Sequence, residues 1–88
     1  TKVIEINPWH LNAYFTRGNA KVKLEDYYGG ISDYNKAIEI NPKLYQAYYN
    51  RGVSKSNLDD KKGACKDYKK AISLCSKSTE EWLSGNSS

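Results

Sequence analysis

Apolar residues recur every three or four positions through two long stretches of this chain, and the stretches are punctuated at matching places. After Asn7-Pro8, the residues Leu11, Tyr14, Phe15, Gly18, Val22 and Leu24 fall at helical spacing. A proline is well suited to a first helical turn, where its missing N–H costs nothing. The pattern predicts a helix over about residues 9–24. Asp26 then has the side chain of an N-cap. Tyr27, Ile31, Tyr34, Ala37, Ile38 and Ile40 mark the inner face of a second helix that stops at Asn41-Pro42. The plan then recurs, with a helix over about residues 44–58, Asp60 as the next cap, and a helix over about 61–75. Connections this short force successive helices to lie antiparallel.

The recurrence has a fixed period. Laid over one another at an offset of 34, residues 4–38 and 38–72 are identical at 18 of 35 positions. Asn7/Asn41, Pro8/Pro42, Tyr14/Tyr48, Gly18/Gly52, Tyr34/Tyr68 and Ala37/Ala71 are among the matches. A constant period with turn residues at constant offsets is the mark of a repeat array, in which each unit buries its apolar face only by stacking on its neighbours. The register extends outward in both directions. Residues 1–6 align with 35–40, so residues 1–8 read as the end of a preceding helix and the chain as a segment of a longer array. Trp82 falls 34 residues after Tyr48, and Ser78-Thr79-Glu80-Glu81 has capping-box spacing. A short closing helix is therefore predicted over residues 77–84, with Trp82 covering the open edge and a polar tail at 85–88. Repeat one occupies 9–42 and repeat two 43–76.

Composition narrows the picture. Among 88 residues there are eight tyrosines, one phenylalanine and no methionine. A tyrosine buries its ring while its hydroxyl stays wet, which suits a thin two-layer structure. No run reaches the ~20 apolar residues of a membrane span, and no signal peptide is visible. Cys65 and Cys75 would lie roughly 15 Å apart along one helix, too far for a disulfide. They read as buried thiols in a reducing intracellular compartment such as the cytoplasm.

The phrases Ala13-Tyr14-Phe15-Thr16-Arg17-Gly18 and Ala47-Tyr48-Tyr49-Asn50-Arg51-Gly52, each followed by a Tyr-Asn/Lys-Lys-Ala-Ile segment, resemble tetratricopeptide repeats. The resemblance covers nearly the whole chain. It implies an all-α fold of helical hairpins stacked as a short right-handed solenoid, each repeat having a helix A and a helix B. Tyr14 and Tyr48 stand where the aromatic of helix A belongs. Gly18 and Gly52 stand where helices A and B approach closely, and Tyr34 and Tyr68 where the helix B aromatic packs. Departures are mild: Gly30 replaces the small alanine that Ala64 keeps, and Lys21 and Lys55 occupy positions where an aromatic is common. The family's A helices line a concave groove, which the resemblance assigns here to Asn12, Phe15, Asn19, Val22, Gln46, Tyr49, Asn50 and Val53, with Ser56 beside them. Amides and aromatics in that arrangement suit an extended peptide or a helical segment of a protein partner. Family members that clamp a C-terminal carboxylate share Asn19 and Asn50. Here, however, Phe15, Glu80 and Ser84 stand at the clamp's basic positions, and a glutamate repels a carboxylate.

Two other readings compete with the groove. The net charge is +4, and residues 45–88 carry eight basic against five acidic side chains. Lys62, Lys66, Lys69 and Lys70, with Lys61 beside them, form a stripe that would attract phosphates. Helix B faces outward in this fold, though, and no aromatic is free there to stack bases, so nucleic acid is the lesser expectation. Self-association through exposed repeat ends is the other, because two repeats fall short of the number such arrays usually need. Catalysis has no inventory. His10 is the single histidine, and Gly29-Gly30 lacks the Lys-Ser/Thr of a phosphate loop. Adjacent acidic pairs such as Asp59-Asp60 do not converge on a helix. The expectation is a non-catalytic module with no cofactor and no metal, binding a protein or peptide.

Overall fold

The computed structural model describes residues 8–86, and side chains over residues 10–76. The helix end expected over residues 1–8 lies, but for Pro8, outside the described residues, as do residues 87–88 of the tail expected over 85–88 and the side chain of Trp82. Four helices follow one another: α1 (Pro8–Lys23), α2 (Tyr27–Ile40), α3 (Tyr45–Asn57) and α4 (Lys61–Asn86). No strand occurs among the described residues. α1 packs on α2 and α3 on α4, while α2 joins the two hairpins by packing on α3. The result is the two-layer helical repeat that the 34-residue period predicts.

The punctuation works as expected at the helix starts. The Asp26 carboxylate accepts from the Gly29 amide at 3.0 Å, and Asp60 accepts from the Gly63 amide at 2.9 Å. Each cap satisfies one of the amide groups left without a partner in a first helical turn. The turns before the caps are also twins. Glu25 and Asp59 have φ of 65° and 69°. The following amides, of Asp26 and Asp60, donate back to the Lys21 and Lys55 carbonyls at 2.8 Å in both cases. This is the left-handed close of a helix, made without glycine.

The core is built of small residues around one ring. Ala37, Ala47, Ala64 and Ala71 are buried, and Tyr34 is the largest fully enclosed side chain among the described residues. Tyr68, at the matching place in the second hairpin, is only half-buried. Gly18 and Gly52 permit the close A–B approach: a β-carbon on either would stand 2.8 or 2.9 Å from Cε1 of Tyr34 or Tyr68.

Two expectations are corrected. α4 does not stop at Cys75 to allow a separate closing helix over 77–84; it continues without a break to Asn86. The position matching Pro42 is Ser76, and serine has the N–H and the free φ that let a helix proceed where proline would clash with the preceding turn. Cys65 is not buried but exposed, as a free thiol. The inward face of α4 is set by Ala64, Asp67 and Ala71, and Cys65 lies about 100° around the helix from Ala64. Cys75 is half-buried.

Candidate functional site

α1 and α3 lie side by side and present one continuous face. Two cavities open on it. One, of about 440 Å³, is lined by Asn19, Val22, Lys23, Tyr34, Tyr49, Asn50 and Val53. The other, of about 300 Å³, is lined by Phe15, Tyr45, Gln46, Tyr49, Asn50, Ala71, Ile72 and Cys75. Tyr49 and Asn50 belong to both, so they form the partition between the cavities. Seven of the eight groove residues read from the resemblance thus line these cavities. Asn12 is exposed and lines neither. Lys23, Tyr45 and Ile72 are additions that the resemblance did not supply.

The polar groups on this face are tied together. Asn50 donates its Nδ2 to Asn19 Oδ1 at 3.0 Å. The Tyr34 hydroxyl donates to the same oxygen in a short hydrogen bond. Burial pushes the Tyr34 hydroxyl above its ordinary value of 10.0, so it remains a protonated donor. Asn19 therefore spends its carbonyl within the fold, linking helix B of the first hairpin to helix A of the second. Asn50 is held by its amide nitrogen, and its Oδ1 has no side-chain or backbone donor among the described residues. Tyr49 stacks obliquely on Tyr68, ring centroids 5.5 Å apart, and is still 54% exposed. It is a large ring fixed from behind and open in front.

A second polar construction is not visible from hydrophobic periodicity, which sends charged residues to solvated faces. Asp33 and Asp67 are buried. Each is gripped by two nitrogens of one arginine: Arg17 on Asp33 at 2.8 and 2.7 Å, and Arg51 on Asp67 at 2.9 and 2.7 Å. Lys21 and Lys55 add a further cation at 3.3 and 3.2 Å. The arginines lie over the rings of Tyr14 and Tyr48, 5.6 and 5.4 Å from the centroids. The lysines that displace the more usual aromatic thus serve a buried carboxylate. The signal was present, since Tyr14, Arg17, Lys21 and Asp33 all recur unchanged 34 residues on. Hydrogen bonding from Arg17 holds the Asp33 carboxyl below its ordinary value. For Asp67 burial acts upward, but the Arg51 hydrogen bond and charge together with Lys55 outweigh it, and the net direction is down. Arg51 also donates to Asn35 at 2.8 Å, bridging the two repeats.

The tetratricopeptide repeat family model matches residues 11–44 and 45–78. The chain belongs to the tetratricopeptide repeat family. The matched units are offset by two residues from the boundaries read from the Asn-Pro punctuation and have the same period. The crystal structure of MamA is similar in fold, with a TM-score of 0.79 at 26% identity over 84% of this chain. The chain spans 43% of the length of that protein. No curated protein sequence matches it. Tetratricopeptide repeats as a family mediate protein–protein interaction and are generally non-catalytic. Among the described residues no helix is long and apolar enough to cross a membrane, and no three His, Cys, Asp or Glu side chains gather where they could hold a metal.

Proposed function

We propose that the α1–α3 face of this tetratricopeptide module binds an extended segment of a protein partner, with Asn50 as the main-chain contact and Tyr49 as the anchor surface. The observation that carries this reading is the partition itself. One residue pair, Tyr49 and Asn50, serves two adjoining cavities on the α1–α3 face. An extended peptide places successive side chains about 3.3 Å apart on alternating sides, so a segment crossing that partition can drop an apolar side chain into each cavity. The unspent Oδ1 of Asn50 accepts from a peptide N–H at the crossing, while Asn19 keeps the Asn50 side chain in its rotamer. Tyr49 supplies contact area with little rotamer entropy to lose.

The test uses a pool of randomised dodecapeptides displayed against the purified domain. Tyr49→Ala and Asn50→Ala are each expected to weaken the selected peptides about tenfold or more, in line with a loss of 1.4 kcal/mol per decade. Lys66→Glu on the outer face is expected to leave them unchanged. Equal loss in Lys66→Glu would move the binding site to the lysine stripe and away from the groove.

A further inference from the structure

We infer that the segment bound on the α1–α3 face carries an acidic side chain, Asp or Glu, at the mouth of the larger cavity, and that Lys23 is the residue that selects it. This inference rests on the peptide reading of the same face and adds to it a charge and a register. Lys23 is the only charged residue among the described residues that line the two cavities. The smaller cavity has none, so the face is charged at one end alone.

The lysine is also unspent. Ion pairs among the described residues draw on Arg17, Lys21, Arg51 and Lys55, and Lys23 takes part in no ion pair or hydrogen bond there. Lys21 and Lys23 share the last turn of α1, and only Lys21 turns back onto Asp33. The second repeat treats the matching position differently. Asn57 stands there, and its Nδ2 donates to the Val53 carbonyl of its own helix at 2.9 Å. Repeat two thus ties its polar side chain down, whereas repeat one leaves an exposed cation beside the cavity. With no carboxylate of this chain lining either cavity, the complementary group is one that the partner brings.

The helix fixes where that group falls. Asn19, Val22 and Lys23 lie on one stripe of α1, since residues three and four apart are neighbours on a helix. Asn19 is bonded to Asn50 at the partition, and Lys23 stands one turn farther on, about 6 Å along the axis. Two residues of extended chain cover about 6.6 Å. The acid therefore falls two positions from the residue that crosses Asn50, on the larger-cavity side. On the other side the segment enters the smaller cavity, where no cation offsets the cost of desolvating a carboxylate. An acid is disfavoured there.

The experiment uses a synthetic pool of randomised dodecapeptides, amidated at the C-terminus so that every carboxylate is a side chain. Selection on the wild-type chain is expected to enrich Asp or Glu on one side of the apolar residues, and selection on Lys23→Glu to enrich Lys or Arg at the same place. The best wild-type peptide is then measured by fluorescence anisotropy at about 50 and 300 mM salt. Replacing its acid by the amide is expected to weaken binding to the wild type about threefold at the lower salt, and to change nothing in Lys23→Ala. Lys23 also complements the C-terminal end of α1, but a role confined to the helix would weaken acid and amide peptides alike and would not reverse the selected charge. The two readings fail separately. Peptides that need Tyr49 yet bind equally well as acid or amide leave the peptide reading standing and overturn this inference. Acid dependence that survives Lys23→Glu and is lost in Lys66→Glu overturns it too, by moving the carboxylate to the α4 lysines. A pool that yields no binder overturns both.

Discussion

At Gly30 the chain solves a packing problem that its own second repeat solves differently. A β-carbon there would stand 2.5 Å from Cγ2 of Val22. In the second repeat the matching pair is Ala64 and Ser56, and the smaller serine makes room for the methyl group. Gly30→Ala alone is expected to lower stability by about 1–2 kcal/mol through overpacking. Gly30→Ala with Val22→Ser is expected to recover it, because alanine gains about 1 kcal/mol of helix propensity over glycine. Urea unfolding of both variants checks this. The buried aspartates give a second expectation. Asp33 and Asp67 are held below their ordinary value of 3.8, so the unfolded chain takes up protons before the folded one does as pH falls. The stability they contribute is full above the unfolded carboxylate value of about 4 and is lost as pH drops through the folded values. Asp67→Asn is expected to cost about 1–3 kcal/mol at neutral pH and to flatten the loss of stability below pH ~4. Neither feature was legible from periodicity. Periodicity marks which residues face inward, but it does not measure the gap between two of them, and it sends a lone aspartate to the solvent side by default.

Helix boundaries were more legible because a few residue types decide them. Asp26 and Asp60 were readable as caps from their position alone, and both accept from the amide three residues on. Asn41 was readable as a stop; its backbone N–H closes α2 onto Ala37, and its side chain accepts from the Lys43 amide at 3.0 Å. The continuation of α4 was not readable, because a capping-box pattern at Ser78 states only that a helix can start there. With serine in place of proline at 76, nothing in the sequence obliges the preceding helix to end. The left-handed turns carry a testable cost. Glu25 and Asp59 sit at positive φ with a β-carbon, a conformation that glycine adopts freely. Glu25→Gly and Asp59→Gly are each expected to raise stability by about 0.5–1 kcal/mol, read as a higher midpoint in thermal unfolding.

For the molecule as a whole, the 34-residue identity gave the fold because a repeat unit has no other way to bury its apolar face than against a copy of itself. The same logic explains why equivalent residues differ in burial. Tyr34 is enclosed between hairpins, and Tyr68, with no third hairpin beside it among the described residues, is half-open. The cavity-lined α1–α3 face was legible only through the family resemblance, which pointed to the residues but not to their wiring. That Asn19 spends its carbonyl on Tyr34 and Asn50 depends on three helices meeting, and no spacing along the chain encodes such a meeting. The division of labour we propose is specific: Asn19 positions, Asn50 contacts, and Tyr49 anchors. Its most direct test is to map amide chemical shifts of the isotope-labelled domain during titration with the randomised dodecapeptide pool. Concentration-dependent shifts centred on Phe15, Tyr49, Asn50 and Val53 are expected. Shifts confined to Lys62, Lys66 and Lys69, or no shifts at all, would contradict peptide binding in the groove.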